Sequence, residues 1–235
     1  MNKTEVLLCA AIAQAAYTNQ CNEKDFYITA KFENKGTDTQ GFFGVAYENT
    51  FVVAFRGSEE TGTADWITDL KFIQDVFPYA KGDQSIKVHL GFNQAYQSVR
   101  ETVIRIVKEQ TQYNRVMYVG HSLGAALAKL CALDTAYNIP GKTIYCYTYG
   151  APKVGNTAFA KAYNEHIPNT FRFVNGSDVV PSIPLGDYEH VGQFCPVGER
   201  LEDSSSWGWS DILARVRDRM EDHFPYNYIK QLRLP

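Results

Sequence analysis

The chain has 235 residues, 45% hydrophobic and 21% charged: enough for one sizeable core, short for two, so a single domain over 1–235 is expected. Its 23 basic and 26 acidic side chains leave a formal charge of -3, which gives no cationic footprint for a nucleic-acid backbone. No apolar stretch approaches the roughly 20 residues of a membrane-spanning helix, and 15 Tyr, 14 Phe and 3 Trp argue for a packed, soluble chain.

The opening MNKTEVLLCAAIAQAAY has a lone cationic end and an apolar centre, as a secretory signal does. Glu5 sits against the apolar run, however, and Val6, Ala10, Ala13 and Tyr17 share one helical face, so we read a helix of the fold. The compartment stays open between secreted and cytoplasmic. Phe26 to Phe32, Phe42 to Tyr47 and Thr50 to Phe55 are rich in aromatic and β-branched residues and are separated by NKGTDTQG and ENT, a strand meander. Phe92, Tyr96, Val99, Val103 and Ile106 then recur at helical spacing within His89 to Gln110.

Strand and helix alternate from there. Val116 to Val119 reads as a buried strand, Leu123 to Tyr137 as a helix stopped by Asn138-Ile139-Pro140-Gly141, and Thr143 to Tyr149 as a second buried strand. Asn156 to His166 is a helix and Thr170 to Val174 a third strand; a late helix is predicted over Asp211 to Met220 with Ser210 as its N-cap. Strands that alternate with helices need crossovers, hence an α/β fold with a largely parallel sheet covered on both faces. The five cysteines form no CxxC pair and are too sparse for a zinc site or a disulfide scaffold. Cys131 and Cys146 read as buried hydrophobes, and a Cys9–Cys21 or Cys21–Cys195 bridge stays open.

Between the strand ending at Val119 and the next helix stands Gly120-His121-Ser122-Leu123-Gly124. A G-x-S-x-G at a strand-to-helix turn holds a serine hydroxyl clear of the backbone, and the helix start aims unpaired N–H groups at developing negative charge. Such a serine needs a base and an orienting acid, which follow it in the order Ser, Asp, His on this type of sheet. His190 and His223 lie late enough to serve, and Asp178, just past a strand end, is the first choice for the acid, with Asp187 its rival. The Leu123 N–H is the geometric first choice for an oxyanion donor. His121 adjoins Ser122, and its ring is expected to point away from the hydroxyl.

The chain resembles the class 3 (fungal-type) lipase family in several collinear segments. They are Phe55-Arg56-Gly57-Ser58, Asp65-Trp66-Ile67-Thr68-Asp69-Leu70, Val88-His89-Leu90-Gly91-Phe92, the Ser122 motif, Tyr149-Gly150-Ala151-Pro152-Lys153-Val154-Gly155-Asn156, Phe171-Arg172-Phe173-Val174-Asn175, Asp178-Val179-Val180-Pro181 and Asp222-His223-x-x-Tyr226. The resemblance implies an α/β-hydrolase fold with a mostly parallel, mixed central sheet, and a serine ester hydrolase of lipase type. It implies a triad of Ser122, Asp178 and His223, with His190 in a segment where histidine is not the base, and it points to Ser58 as the second oxyanion residue. It also implies an ester or lipid substrate, transient contact with a lipid interface, and a lid at about 59–73, where Trp66 and Ile67 are candidate lid or substrate contacts.

Trp66, Ile67, Leu70 and Ile73 make one side of that segment apolar, and core is the expected place of Leu70 and Ile73. The preceding Ser58-Glu59-Glu60-Thr61-Gly62-Thr63-Ala64 is polar, which favours a carboxylesterase or feruloyl esterase of soluble esters as the alternative; a hydrolase-fold binding protein without catalysis is the third reading. No cofactor and no metal are expected, since no HExxH occurs and the five histidines are scattered. A monomer is expected.

Overall fold

The computed structural model describes residues 2–47, 49–58, 67, 71–176, 178–198 and 208–234, with 217–219 by backbone alone. Helix α1 (Lys3–Thr18) starts on Asn2, whose side chain accepts from the Thr4 N–H at 3.0 Å. Strands β1 (Phe26–Asn34), β2 (Thr39–Ala46) and β3 (Thr50–Phe55) form the antiparallel meander. A short antiparallel pair, β4 (Gln74–Val76) and β5 (Lys87–His89), leads into α2 (Leu90–Glu109). The alternation follows as β6 (Arg115–His121), α3 (Leu123–Asn138), β7 (Thr143–Tyr149), α4 (Thr157–His166) and β8 (Thr170–Asn175). The chain continues through β9 (Gln193–Val197), α5 (Trp209–Arg219) and α6 (Pro225–Arg233).

The main sheet has the order β1-β2-β3-β6-β7-β8-β9 and is parallel from β3 to β9. Its centre is buried on both sides, which is why β3 and β6 are continuous apolar runs rather than alternating ones. Phe51, Val53, Val116, Tyr118 and Cys146 face α2, α3 and α4, whereas Val52, Met117, Val119, Tyr147 and Tyr149 face α1 and α6. A third, smaller cluster joins Ile67, Val179, Val180 and Ile183 to Ile212 and Val216 of α5.

Polar groups dock α1 on the sheet. Glu5 pairs with Arg115 at 2.8 Å and accepts from the Tyr147 hydroxyl, while the Tyr149 hydroxyl donates to the Val6 carbonyl at 2.7 Å. On the other face the wholly buried Asp134 of α3 accepts from the Tyr96 hydroxyl and from Arg100 Nε, both at 2.6 Å. No helix among the described residues is long and apolar enough to cross a membrane.

Several expectations need correction. The late helix spans Trp209–Arg219, and its N-cap is Gly208, not Ser210, because the Asp211 carboxylate accepts from the Gly208 N–H at 2.8 Å and sets the first turn there. Ile73 is exposed, since residues 71–73 run outside any helix into β4 and the apolar stripe does not reach it. Leu70 lies outside the described residues. All five cysteines are free thiols, so neither bridge forms; Cys9 instead packs inside α1's buried face, its Sγ 3.3 Å from Met117 Sδ. Strand β9 and helix α6 were not anticipated. The first is an edge strand containing Pro196 with no alternating pattern, and the second starts on Pro225 and is only nine residues long.

Candidate active site

Ser122 stands at the turn between β6, in the middle of the sheet, and α3, with φ 57° and ψ −130°. A backbone held in so sparsely populated a region costs about 1–3 kcal/mol, so surrounding contacts must impose it. Two of them are visible. The Ser122 N–H donates to the Tyr149 carbonyl at 3.0 Å, and the flanking glycines let the strand and helix close on the turn. A Cβ on Gly120 would lie 2.6 Å from the Ala125 nitrogen, and one on Gly124 2.8 Å from the Arg56 carbonyl carbon.

His223 ends a short 3-10 turn, Met220–His223, between α5 and α6. Its Nδ1 lies 2.9 Å and 3.0 Å from the two carboxylate oxygens of Asp178, which follows the end of β8. Asp178 also accepts from the Val180 N–H at 2.9 Å and from the Tyr228 hydroxyl at 2.5 Å. Burial and the neighbouring carboxylate push the Tyr228 phenol well above its ordinary range, so it stays protonated and donates. With both carboxylate oxygens engaged, Asp178 holds Nδ1 as the protonated nitrogen, which leaves the Nε2 lone pair free. The ring rests on Gly150, where φ is +57° and a Cβ would come within 2.9 Å of His223 Nδ1.

Ser122 Oγ and His223 Nε2 are both buried, and neither has a hydrogen-bond partner among the described residues. The Ser122 N–H bonds to the carbonyl of Tyr149, the last residue of β7, and the imidazole of His223 rests on Gly150, the next residue, so the two residues are anchored at neighbouring positions. They do not bond to each other here; such contacts commonly tighten only when substrate is bound.

The remaining predicted residues fall as follows. Leu123 is the first residue of α3, and its N–H has no acceptor within the helix. Ser58 follows the end of β3 in a loop anchored by Arg56, whose N–H donates to the Gln40 carbonyl at 2.9 Å and whose Nη1 donates to Gln40 Oε1 at 2.7 Å. The loop runs beside Ser122, for a Cβ on Gly57 would lie 3.1 Å from Ser122 Cβ. Ile67 is fully buried beside Val179 and Val180; Trp66 lies outside the described residues, as does most of the expected lid. Asp187 is exposed and its main-chain carbonyl accepts from Gln74 Nε2, and His190 Nε2 donates to the Pro181 carbonyl at 2.7 Å. Burial, then the charges of Arg172, Lys129 and Lys153, hold His190 well below the usual histidine range.

Three contributors escaped the sequence reading. Tyr17 of α1 bonds to His121 Nδ1 at 2.7 Å, Tyr228 bonds to Asp178, and Asn175 Nδ2 donates to the Asp222 carbonyl at 2.8 Å. The Asp222-His223-x-x-Tyr226 segment contains Tyr226, which is 46% exposed, whereas the tyrosine that bonds to Asp178 is Tyr228, which is 1% exposed.

A family model described as lipase (class 3) matches residues 52–188, more than half of the chain. The chain is 38% identical over 164 residues to the secreted mono- and diacylglycerol lipase A of Penicillium cyclopium, covering 66% of this chain and 50% of that protein. It thus spans about half the length of the curated relatives it matches. The fold is similar to that of the triacylglyceride lipase of Rhizomucor miehei, with a TM-score of 0.75 and 29% identity over 83% of this chain and 79% of that one. It is equally similar, at a TM-score of 0.74 and 29% identity over 83% and 79% of the two chains, to a triacylglycerol lipase whose catalytic centre is formed by a serine protease triad. The motif order, the mixed sheet and these matches agree, and the chain belongs to the class 3 lipase family.

Proposed function

We propose that the chain is a serine ester hydrolase of lipase type, working as one domain, that cleaves acylglycerol-like esters through an acyl-enzyme on Ser122. The observation that carries this reading is a pair of buried atoms without a hydrogen-bond partner among the described residues, Ser122 Oγ and His223 Nε2, anchored at the neighbouring Tyr149 and Gly150, with Asp178 on the far side of the imidazole. In the proposed reaction Ser122 Oγ attacks the ester carbonyl while His223 Nε2 takes its proton and then returns it to the leaving alcohol. Asp178 keeps the ring in the Nδ1–H form and stabilises the imidazolium. Water then attacks the acyl-enzyme, activated by the same nitrogen.

The oxyanion would form against the Leu123 N–H at the start of α3 and against Ser58, each donor contributing about 3 kcal/mol of barrier lowering. Ser122 has no exposed surface, so an ester reaches it only when covering residues move; a lid at about 59–73, with Trp66 and Ile67 as contacts, is part of this proposal on the family resemblance, and most of that segment lies outside the described residues. Action as a monomer and transient contact with a lipid interface are part of this proposal, the latter on the family resemblance. The names of the relatives support acylglycerols as substrates. The polar composition of 58–64 favours short soluble esters as the second reading.

A fluorophosphonate probe tests the reading directly. Wild type should gain one adduct and Ser122→Ala none; no adduct on wild type, or equal labelling of both, would overturn it. Initial rates on short soluble against long emulsified p-nitrophenyl esters separate the two substrate readings.

A further inference from the structure

The imidazole next to the nucleophile is engaged at both nitrogens. His121 Nε2 lies 2.5 Å from the main-chain carbonyl of His223, and Nδ1 lies 2.7 Å from the Tyr17 hydroxyl of α1. A carbonyl only accepts, so Nε2 carries the proton. Burial, reinforced by the charge of His223, holds His121 well below the usual histidine range, so the ring is neutral and Nδ1 accepts. The Tyr17 hydroxyl is therefore the donor. The alternative tautomer would set a lone pair against the carbonyl and a proton against the phenol.

The His121 and His223 rings are 4.5 Å apart, and His223 ends a 3-10 turn of only four residues. Its two last carbonyls are both gripped from the ends of sheet strands, that of Asp222 by Asn175 of β8 and that of His223 by His121 of β6. Tyr17 also touches the other side of the site, since a Cβ on Gly57 would strike its hydroxyl.

We propose that Tyr17 and His121 form a two-step positioning relay, in which the phenol of α1 fixes the His121 tautomer and His121 fixes the main chain of His223. This rests on His223 being the base. Both act through His223 as positioning residues. The relay makes the N-terminal helix part of the catalytic apparatus through one hydroxyl. A misplacement of about 1 Å at a reacting group costs on the order of 100-fold in rate, which sets the scale of the loss.

The test is steady-state hydrolysis of a p-nitrophenyl ester by Tyr17→Phe, His121→Leu, His121→Gln and the Tyr17→Phe/His121→Leu double variant, with urea melts to verify folding. We expect kcat to fall about 10-fold in Tyr17→Phe and about 100-fold in His121→Leu, with KM unchanged. His121→Gln, whose amide can still donate to the carbonyl, should recover most of the rate. Because Tyr17 acts through His121, the double variant should be no slower than His121→Leu alone. Histidine 15N NMR, which needs no substrate and no second variant, should show His121 as the Nε2–H tautomer in wild type and a mixture in Tyr17→Phe. Multiplicative losses in the double variant, full kcat in Tyr17→Phe, or an Nδ1–H tautomer in wild type would each overturn the relay. If wild-type turnover does not depend on Ser122, the hydrolase reading falls instead, and the NMR result still decides the tautomer lock.

Discussion

Replacing Lys129 by methionine should stabilise the protein near neutral pH and erase a pH dependence that the wild type carries. Lys129 is on α3, two helical turns beyond Ser122, wholly buried, and its Nζ donates to the Pro152 carbonyl at 3.2 Å. Burial, and then the positive charge of Arg172, push its amine from an ordinary 10.5 down to about 7. Below about 7 the amine is protonated in both the folded and the unfolded chain, and above 10.5 it is neutral in both. Between them the unfolded chain binds more protons, so stability rises with pH. At about 1.4 kcal/mol per pH unit, this window amounts to about 5 kcal/mol. Methionine has a similar length and no charge; it removes this penalty and gives up one hydrogen bond, worth about 1 kcal/mol. Urea unfolding at pH 7.0 and 9.5 measures the effect. The variant should be the more stable by a few kcal/mol at pH 7.0, and its advantage should shrink by about 3 kcal/mol at pH 9.5. An advantage that stays constant between the two pH values would refute the reasoning, because Lys129 would then ionise alike in both states.

Other substitutions probe the site and the core. Ser122→Ala and His223→Ala should each lower kcat by several orders of magnitude on a p-nitrophenyl ester while urea unfolding stays cooperative, since the first removes one hydroxyl and the second leaves Asp178 bonded to Tyr228 and Val180. Gly150→Ala should lower kcat about 10- to 100-fold and stability by about 1–3 kcal/mol, read by kinetics and melts, because its Cβ would come 2.8 Å from Asp178 Oδ2 and 2.9 Å from His223 Cε1 at a positive φ. Asp134→Ala should destabilise by about 3–5 kcal/mol in the same melts with little change in KM, because it strands Arg100 and Tyr96 beside α3.

Two kinds of information in the sequence account for what was legible. Apolar periodicity reports which elements are buried, and here it located β3, β6, β7 and their intervening helices, because strands covered on both faces are nearly unbroken apolar runs. A local motif reports special backbone geometry, and the glycines around Ser122 announced the strained turn that the structure contains. Neither kind reports what the tip of a buried aromatic touches. Tyr17 shares a helical face with the buried Val6, Ala10 and Ala13 and is itself half-buried, yet the partner of its hydroxyl is 104 residues away in sequence. Tyr228 is 50 residues from Asp178, on a nine-residue helix whose pattern gave no signal.

This division has a physical cause. Burying a phenol is favourable for its ring whatever surrounds it, so hydrophobic selection fixes the position of the ring, while the hydroxyl must find a partner or cost 1 kcal/mol or more, to order of magnitude. Each such hydroxyl is therefore a constraint that only the assembled fold can satisfy. At this site both constraints are met on histidine and aspartate groups of the same constellation, Tyr17 through His121 and Tyr228 directly. The two tyrosines come from α1 and α6, which pack together on one face of the sheet. The face that apolar periodicity marks only as hydrophobic core is thus also the face from which Asp178 and His223 are held in place.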